Sequence, residues 1–305
     1  MYKNLERDSN TVTAVVVTFR RDELLKRCLD HLKFQTKKLA FVIVVDNAQS
    51  EITKTTVLEY GFIYIPGSPH LGGAGGYKLG MENALATEPE YIWLLDDDGY
   101  PDFDCLQSQL NFSDSHGLMI SSPLCVDQSD LTQTSNPYII GFKKISKVSF
   151  LSKLPLRIGV LQLFNGLLLS SATVKSLGYP NQDLFIRGDE LDYYYRIKKT
   201  KFTHGLVTSA RYFHPSGKSE YPNSRNSLLG VIIPTDDKKK YYQFRNQGFL
   251  VRKHRLLLKA LIDWSRYSIY FLVYPGRDWR AFRNWAGLWF TGFTLNLDPY
   301  PEDSK

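Results

Sequence analysis

The sequence predicts an α/β protein: an open, Rossmann-like mixed sheet flanked by helices, followed by a helical, basic and aromatic C-terminal extension. Three observations predict it. Short β-branched runs alternate with helix-period segments over the first hundred residues, an acidic triplet ends one of those runs, and beyond about residue 230 the pattern changes to long helix-like stretches rich in arginine and aromatics. The reading divides the chain into a domain of residues 1–230 and an extension of residues 231–305.

Each element has its own reason. TAVVV (13–17) and FVIVV (41–45) are β-branched runs bounded by polar residues, as expected of strands buried on both faces. Between them, Leu24, Leu25, Cys28, Leu29 and Leu32 recur at helical spacing, which makes a βαβ opening. A strand is expected at 62–65, a helix at 73–86, and a strand at 91–95 that stops at three aspartates. Residues 100–165 show scattered apolar runs without a clean period. A strand is expected at 164–170, a helical turn at 172–177 and a helix at 189–199 that opens with acids, which suits its dipole. The polar tract 216–227 reads as a loop. In an open α/β sheet, ligands bind beyond the carboxyl ends of the strands, here Thr18 to Arg21, Asp46 with Asn47, and Asp96 to Asp98.

Composition excludes several classes. With 305 residues, 43% hydrophobic and 14% aromatic, the chain can bury a sizeable core, so neither a disordered chain nor a disulfide-stapled miniprotein fits. Its three cysteines form no C-x-x-C pair, which points to a reducing compartment and away from a structural zinc site. The charged N-terminus, MYKNLERDSN, has no apolar signal core, and the apolar run at 267–275 is far short of the roughly 20 residues a membrane helix needs. A cytoplasmic protein is expected. Residues 238–290 hold twelve Lys and Arg against two acids, whereas the whole chain carries only +7. One end is a basic module.

Five segments carry chemistry. In WLLDDDGYP (93–101), three carboxylates at a strand end repel one another, and a divalent cation relieves them; oxygen ligands suit Mg²⁺ or Mn²⁺, with Asp96 and Asp98 spaced as a D-x-D clamp. A solvated acidic turn is the alternative. The run HLGGAGGYKLG (70–80), with Gly72, Gly73, Gly75 and Gly76, either lets backbone approach a phosphate or forms a flexible turn. Asp46 either holds a base or ribose or caps a local turn. Asp189, Glu190 and Asp192 cluster at a helix start, which is stabilising by itself and also supplies what a general base requires. His214 follows a strand-like run, and the aspartate triplet makes it a candidate metal ligand.

The ordered series VVVTFRR, VVDNAQS, GGAGGYKLGMENA, WLLDDDGYP, FNGLLLS, FIRGDELDYYYR and FHP resembles the family 2 glycosyltransferases of GT-A fold, in particular the bacterial galactofuranosyltransferase and rhamnosyltransferase branch, over residues 12–215. The resemblance implies inverting transfer of a sugar from a UDP-sugar or dTDP-sugar to an acceptor hydroxyl. It places Thr18, Phe19, Arg20, Asp46, Gly73, Asp96 and Asp97 around the nucleotide, and Asp96, Asp98 and His214 around Mn²⁺ or Mg²⁺. The general base aligns with Glu190, with Asp189 the alternative and Asp192 binding the acceptor or orienting the base. The family often carries Asp where Glu190 stands, and Asn where this chain has His70. The glycine run and triple aspartate look most like the galactofuranose-transferring branch; dTDP-rhamnose is the alternative donor.

The tail interleaves arginines with Trp264, Trp279, Trp285 and Trp289. Helices of this kind lie in a membrane interface against anionic lipid, or they cap the catalytic sheet. The first reading suits a lipid-linked glycan acceptor of a cell-surface polysaccharide such as O-antigen, met at the inner face of the cytoplasmic membrane. Two rivals exist. A nucleic-acid binder would use the basic tail on phosphates, but no reading motif is present and the acidic triplet repels a polyanion; no nucleic-acid partner is expected. A nucleotidyltransferase would also use paired acids and a glycine-rich loop, and would release pyrophosphate.

Overall fold

The computed structural model describes residues 11–141, 143–216, 229–273 and 277–301. The charged N-terminal decapeptide and, of the loop expected at 216–227, residues 217–227 lie outside the described residues. The chain forms two compact units: Met1–Pro180 with Arg196–Ser216, and Asn181–Tyr195 with Gly217–Lys305.

The first unit opens as the hydrophobic pattern requires, with β1 (Val12–Thr18), α1 (Asp22–Lys33), β2 (Phe41–Asp46), α2 (Glu51–Glu59), β3 (Ile63–Pro66), α3 (Gly72–Ala86) and β4 (Tyr91–Asp96). All seven residues of β1 are buried, since helices cover both faces of a parallel sheet. Burying one such valine contributes about 1.5–3 kcal/mol. Helix α1 turns Leu25, Cys28, Leu29 and Leu32 inward. A Cβ on Gly76 would lie 2.5 Å from Val17 Cγ1, and one on Gly80 2.3 Å from Val15 Cγ1. Two glycines of the run therefore bring α3 onto β1, and the structural use of the glycine signal is close helix-to-sheet packing.

Strands β1, β2 and β3 are parallel, and β1 is also parallel to β4 on its other side. The chain thus winds outward to β3 and returns across β1. That reversal leaves a crevice at the carboxyl ends of β1 and β4, where Thr18 and Asp96 stand.

The region without a clean sequence period contains β5 (Tyr100–Pro101), α4 (Cys105–His116), β6 (Ile120–Asp127), β7 (Asp130–Ile140), β8 (Lys143–Lys147), α5 (Val148–Leu151) and β9 (Leu156–Ile158). The strand expected at 164–170 begins later, as β10 (Leu167–Ser170), because Phe164 and Gly166 adopt left-handed backbone with φ of 61° and 79°. It is followed by α6 (Ser171–Leu177), α7 (Asp189–Lys198) and β11 (His204–His214). The strand order is β3-β2-β1-β4-β10-β6-β11-β5, with β7 and β9 joined to β6 and β11 and β8 joined to β7. Strand β10 is antiparallel to β4 and β6, so the sheet is mixed. Trp93 of β4 is fully buried, and its indole N–H donates to Gln109 Oε1 at 3.0 Å and to the Gly166 carbonyl at 2.9 Å.

The second unit contains α8 (Asp237–His254), α9 (Leu257–Leu272) and α10 (Trp279–Phe293), together with the first seven residues of α7. Helices α8 and α10 cross at a glycine pair. A Cβ on Gly248 would sit 1.8 Å from the Trp289 carbonyl oxygen, and one on Gly292 1.8 Å from that of Arg245. Its core is aromatic: Trp285 stacks on Tyr267 at 4.7 Å, and Trp264 meets Trp285 and Trp289 edge to face. Trp285 and Trp289 are buried, whereas Trp279 is exposed. Among the described residues, no helix is long and apolar enough to cross a membrane.

Candidate active site

The acidic triplet leaves the end of β4, and each of its carboxylates has a different environment. Asp96 is held by Tyr77 of α3, whose hydroxyl donates to Asp96 Oδ1 at 2.6 Å, and its carbonyl accepts from the Tyr212 hydroxyl at 2.9 Å. Asp97 turns inward, accepting from Thr18 Oγ1 at 2.7 Å and Arg21 Nη1 at 2.9 Å. Asp98 receives Arg21 Nη1 at 2.7 Å and faces His214 Nε2 at 3.0 Å. Gly99 allows the turn to lie against β11, since a Cβ there would fall 2.3 Å from the Tyr212 ring.

The electrostatics follow from this crowding. Burial, then the neighbouring charge of Asp98, pushes the Asp96 carboxyl above its ordinary range. Burial also raises Asp97, against the opposing pull of Arg21 and Thr18. Asp98 moves the other way: burial disfavours its charge, but the hydrogen bond and charge of His214, with Arg21, outweigh it. For His214, burial favours the neutral ring, yet Asp98 and Asp96 raise it above the ordinary histidine range. Two cationic side chains thus offset three packed acids.

One ligand atom from each of Asp96, Asp98 and His214 lies within 4.8 Å of the others. The His214 Nδ1 lies 2.7 Å from the Pro215 carbonyl, which fixes the ring and leaves Nε2 directed at Asp98. Two carboxylate oxygens and an oriented imidazole nitrogen fit a divalent cation of the Mn²⁺ or Mg²⁺ class. The donor set is therefore compatible with the ion that the sequence implies.

The remaining expected residues fall into two groups. Thr18 lies at the crevice, bonded to Asp97. Phe19 and Arg20 follow it on the surface, with the Arg20 guanidinium 5.1 Å from the Phe19 ring and Arg20 itself left-handed at φ 55°. Gly73 is the second residue of α3, with open space at its Cβ position. The buried Asp46 accepts from the backbone N–H of Ala48 at 2.8 Å and of Ser50 at 2.7 Å, and from the Tyr64 hydroxyl at 3.2 Å. Its oxygens brace the β2 to α2 turn.

The other group sits in the second unit. Asp189 is buried at the start of α7, and burial lifts its carboxyl to about 6 against the backbone N–H groups of residues 189 and 190 and the charge of Arg187. Glu190, next to it, is exposed. Asp192 is fully buried, with His254 Nε2 at 2.8 Å and Lys253 Nζ at 3.1 Å.

Sequence reasoning included Arg21 only within the stretch Thr18 to Arg21, with no role of its own, and it missed Tyr77 and Tyr212. Arg21 is the second arginine of FRR, and the left-handed turn at Arg20 decides which of the pair reaches the acids. Tyr77 hides in the glycine run, and Tyr212 lies two residues before His214.

Residues 13–166 match the sequence model of the family described as Glycosyl transferase family 2. Galactofuranosyltransferase GlfT1 of Mycolicibacterium smegmatis is 34% identical over 289 residues, covering 92% of this chain and 95% of that protein. The protein of the same name from Mycobacterium tuberculosis (strain ATCC 25618 / H37Rv) is 32% identical over 288 residues, covering 92% and 94%. Among solved structures, S. aureus TarS 1–349 in complex with UDP-GlcNAc superposes with a TM-score of 0.60 at 12% identity, over 94% of this chain and 82% of that one. GalNAc-T7 with UDP, GalNAc and Mn²⁺ does so at 0.55 and 12%, over 94% and 57%.

Proposed function

The chain belongs to glycosyltransferase family 2, has the GT-A fold and is a glycosyltransferase, and from that premise we propose that it moves galactofuranose from UDP-galactofuranose to an acceptor hydroxyl, with inversion and with Mn²⁺ or Mg²⁺. The observation that carries the reading is the Asp96, Asp98 and His214 group at the crevice of a chain that matches galactofuranosyltransferases over nearly its full length. The UDP, UDP-GlcNAc and Mn²⁺ in the structural neighbours support the class of donor and ion.

Asp96, Asp98 and His214 would hold the ion, which as a Lewis acid offsets the charge developing on the departing diphosphate. Arg21 and Thr18 hold Asp97 apart, which leaves Asp96 and Asp98 grouped with His214. Glu190, exposed at the head of α7, takes the proton of the acceptor hydroxyl as its oxygen bonds to the anomeric carbon; Asp189 is the alternative base. The bond between that carbon and the phosphate oxygen breaks, and UDP leaves.

The acceptor in this reading is a lipid-linked glycan of a growing cell-surface polysaccharide such as O-antigen, met at the cytoplasmic face of the membrane. The outward side of α9 supports it. Leu258, Leu261, Ile262, Ile269 and Val273 form one exposed stripe, with Leu258 72% and Leu261 68% exposed, beside the cations Arg255 and Arg266. Leu261→Glu should weaken retention on vesicles containing anionic lipid, and high salt should weaken it further. Equal retention of variant and parent would remove the membrane contact.

The chemistry is tested by thermal shift against a panel of nucleotide sugars with and without Mn²⁺. UDP-galactofuranose should stabilise most, and Asp98→Ala should lose the metal-dependent part. Glu190→Gln should abolish UDP release yet leave donor binding nearly intact. Stabilisation by dTDP-rhamnose in place of UDP-galactofuranose would redirect the donor.

A further inference from the structure

The backbone that delivers Asp189 and Glu190 is strained. Phe185 has φ 63° and ψ −69°, and the Ile186 N–H bonds to the Leu184 carbonyl at 2.7 Å, which together define a γ-turn of the rare, unfavourable hand. Arg187 and Gly188 follow at φ 65° and 108°. Three left-handed residues in four, two of them not glycine, persist only where surrounding groups hold them.

The holding group is a dipeptide on α8. Asn246 Nδ2 lies 2.9 Å from the Leu184 carbonyl, 3.0 Å from that of Ile186 and 2.7 Å from that of Arg187, its two N–H groups shared among the three. Its Oδ1 accepts from Arg245 Nε at 3.0 Å, and Arg245 Nη2 continues to the Asp183 carbonyl at 2.6 Å. Arg245 Nη1 also binds the Leu297 and Asp298 carbonyls, tying the chain's end to the same clamp. Asn246 and Arg245 are almost wholly buried. Gly188 completes the fit, because a Cβ there would press on Asn246 Cβ at 3.2 Å and Leu250 Cδ1 at 3.3 Å. Two turns further along α8, Lys253 and His254 bind Asp192.

A buried amide spent on three carbonyls of one loop stabilises that loop's shape and little else. The shape matters at its exit, where the Gly188 carbonyl accepts the first helical bond of α7, from the Asp192 N–H at 2.8 Å. That start turns Asp189 inward and leaves Glu190 exposed.

We infer that Asn246, seconded by Arg245, is a positioning residue for sugar transfer: α8 holds the 184–188 backbone in the form that aims the carboxyls at the head of α7. The inference rests on the reading that one of those carboxyls takes the acceptor's proton. It makes the C-terminal helices part of the catalytic apparatus, whatever α9 does at a lipid surface.

The test uses the full chain as Asn246→Ala and as Asn246→Asp, which keeps the shape but replaces the donating amide, with active sites counted by UDP titration in Mn²⁺. Turnover per site should fall at least ~10-fold, as small misplacements of reacting groups do. UDP affinity and donor KM should stay within about 2-fold, since no donor contact is altered. If Asp189 is the base, the acid limb of the kcat profile of Asn246→Ala should also move to lower pH as the loop admits water around that buried carboxyl, whose charged neighbours include Arg187 and Asp192. A merely structural amide would change the number of sites and leave turnover per site and the limb in place. If neither variant folds, Arg245→Lys, which keeps the charge and loses the fork, should show a smaller fall of the same kind. Parental turnover per site in the folded variants overturns the inference. Glu190→Gln and Asp189→Asn run alongside: if both turn over normally, the base reading itself has failed, and that outcome is distinguishable from an Asn246 effect that is absent while the carboxyl variants are dead.

Discussion

Replacing Asp189 by Asn should make the protein more stable at neutral pH, and the size of the gain follows from burial. The carboxyl's ordinary value of 3.8 rises to about 6 in the folded chain. Between those values the folded state holds a proton that the unfolded chain has released, so stability falls as pH rises through the window and stays lower above it. About two pH units at ~1.4 kcal/mol each make the cost about 3 kcal/mol at pH 8. Asn carries no charge and its Oδ1 still accepts the backbone N–H groups of residues 189 and 190, but its NH₂ needs a partner, which reduces the expected gain to about 1–2 kcal/mol. At ~2–4 °C per kcal/mol, the midpoint should rise by several degrees at pH 8, and the gain should shrink to nothing or reverse near pH 4, where only the cost of the amide remains. Calorimetry of both proteins across pH 4–8 measures it. A variant less stable than its parent at pH 8, or a gain independent of pH, would refute the claim that this carboxylate is held at a cost.

Gly292→Ala should destabilise the second unit severely, by more than ~3 kcal/mol, because its Cβ would meet the Arg245 carbonyl oxygen at 1.8 Å; a melting curve close to the parent's would contradict the described crossing of α8 and α10. Trp93→Phe should cost about 1–3 kcal/mol in urea unfolding, since Gln109 Oε1 keeps only the weak Cys105 thiol donor, while the Gly166 carbonyl keeps the Gln109 amide. Arg21→Ala should weaken UDP binding in Mn²⁺ less than Asp98→Ala does, because Arg21 orients two acids while Asp98 belongs to the proposed ligand set; calorimetric titration with UDP ranks them.

Much of the first unit was legible because burial writes itself into sequence. A strand covered on both faces leaves a run such as VTAVVVT, and a strand that ends in DDD at the reversal of sheet order marks its own crevice. The stretch from β5 to β9 was illegible for equally physical reasons. Strand β7 leaves most of its residues exposed or half-buried, so neither apolar continuity nor strict alternation marks it, and β5 is two residues long. His214 was legible only beside the triplet. Arg21 and Arg20 are indistinguishable as letters, and the left-handed backbone at Arg20 is a property of the folded turn.

The tail shows where composition stops informing. Interleaved arginine and tryptophan supported a membrane face and a sheet cap alike, and in the helices these residue types separate into buried core and exposed surface. Trp285 and Trp289 are core, whereas the outward stripe of α9 is aliphatic, its basic companions being Arg255 and Arg266. Arg245, one of twelve cations in the basic stretch, carries its charge into the interior to bind main-chain carbonyls from residues 183 to 298. No periodicity announces such a residue, because its partners are backbone atoms about fifty to sixty positions away. The signal that does point to it lies in the loop it serves: FIRG places a bulky residue and an arginine where the backbone must turn left-handed, and a chain that keeps such a turn just before its candidate base needs a buried donor to hold it.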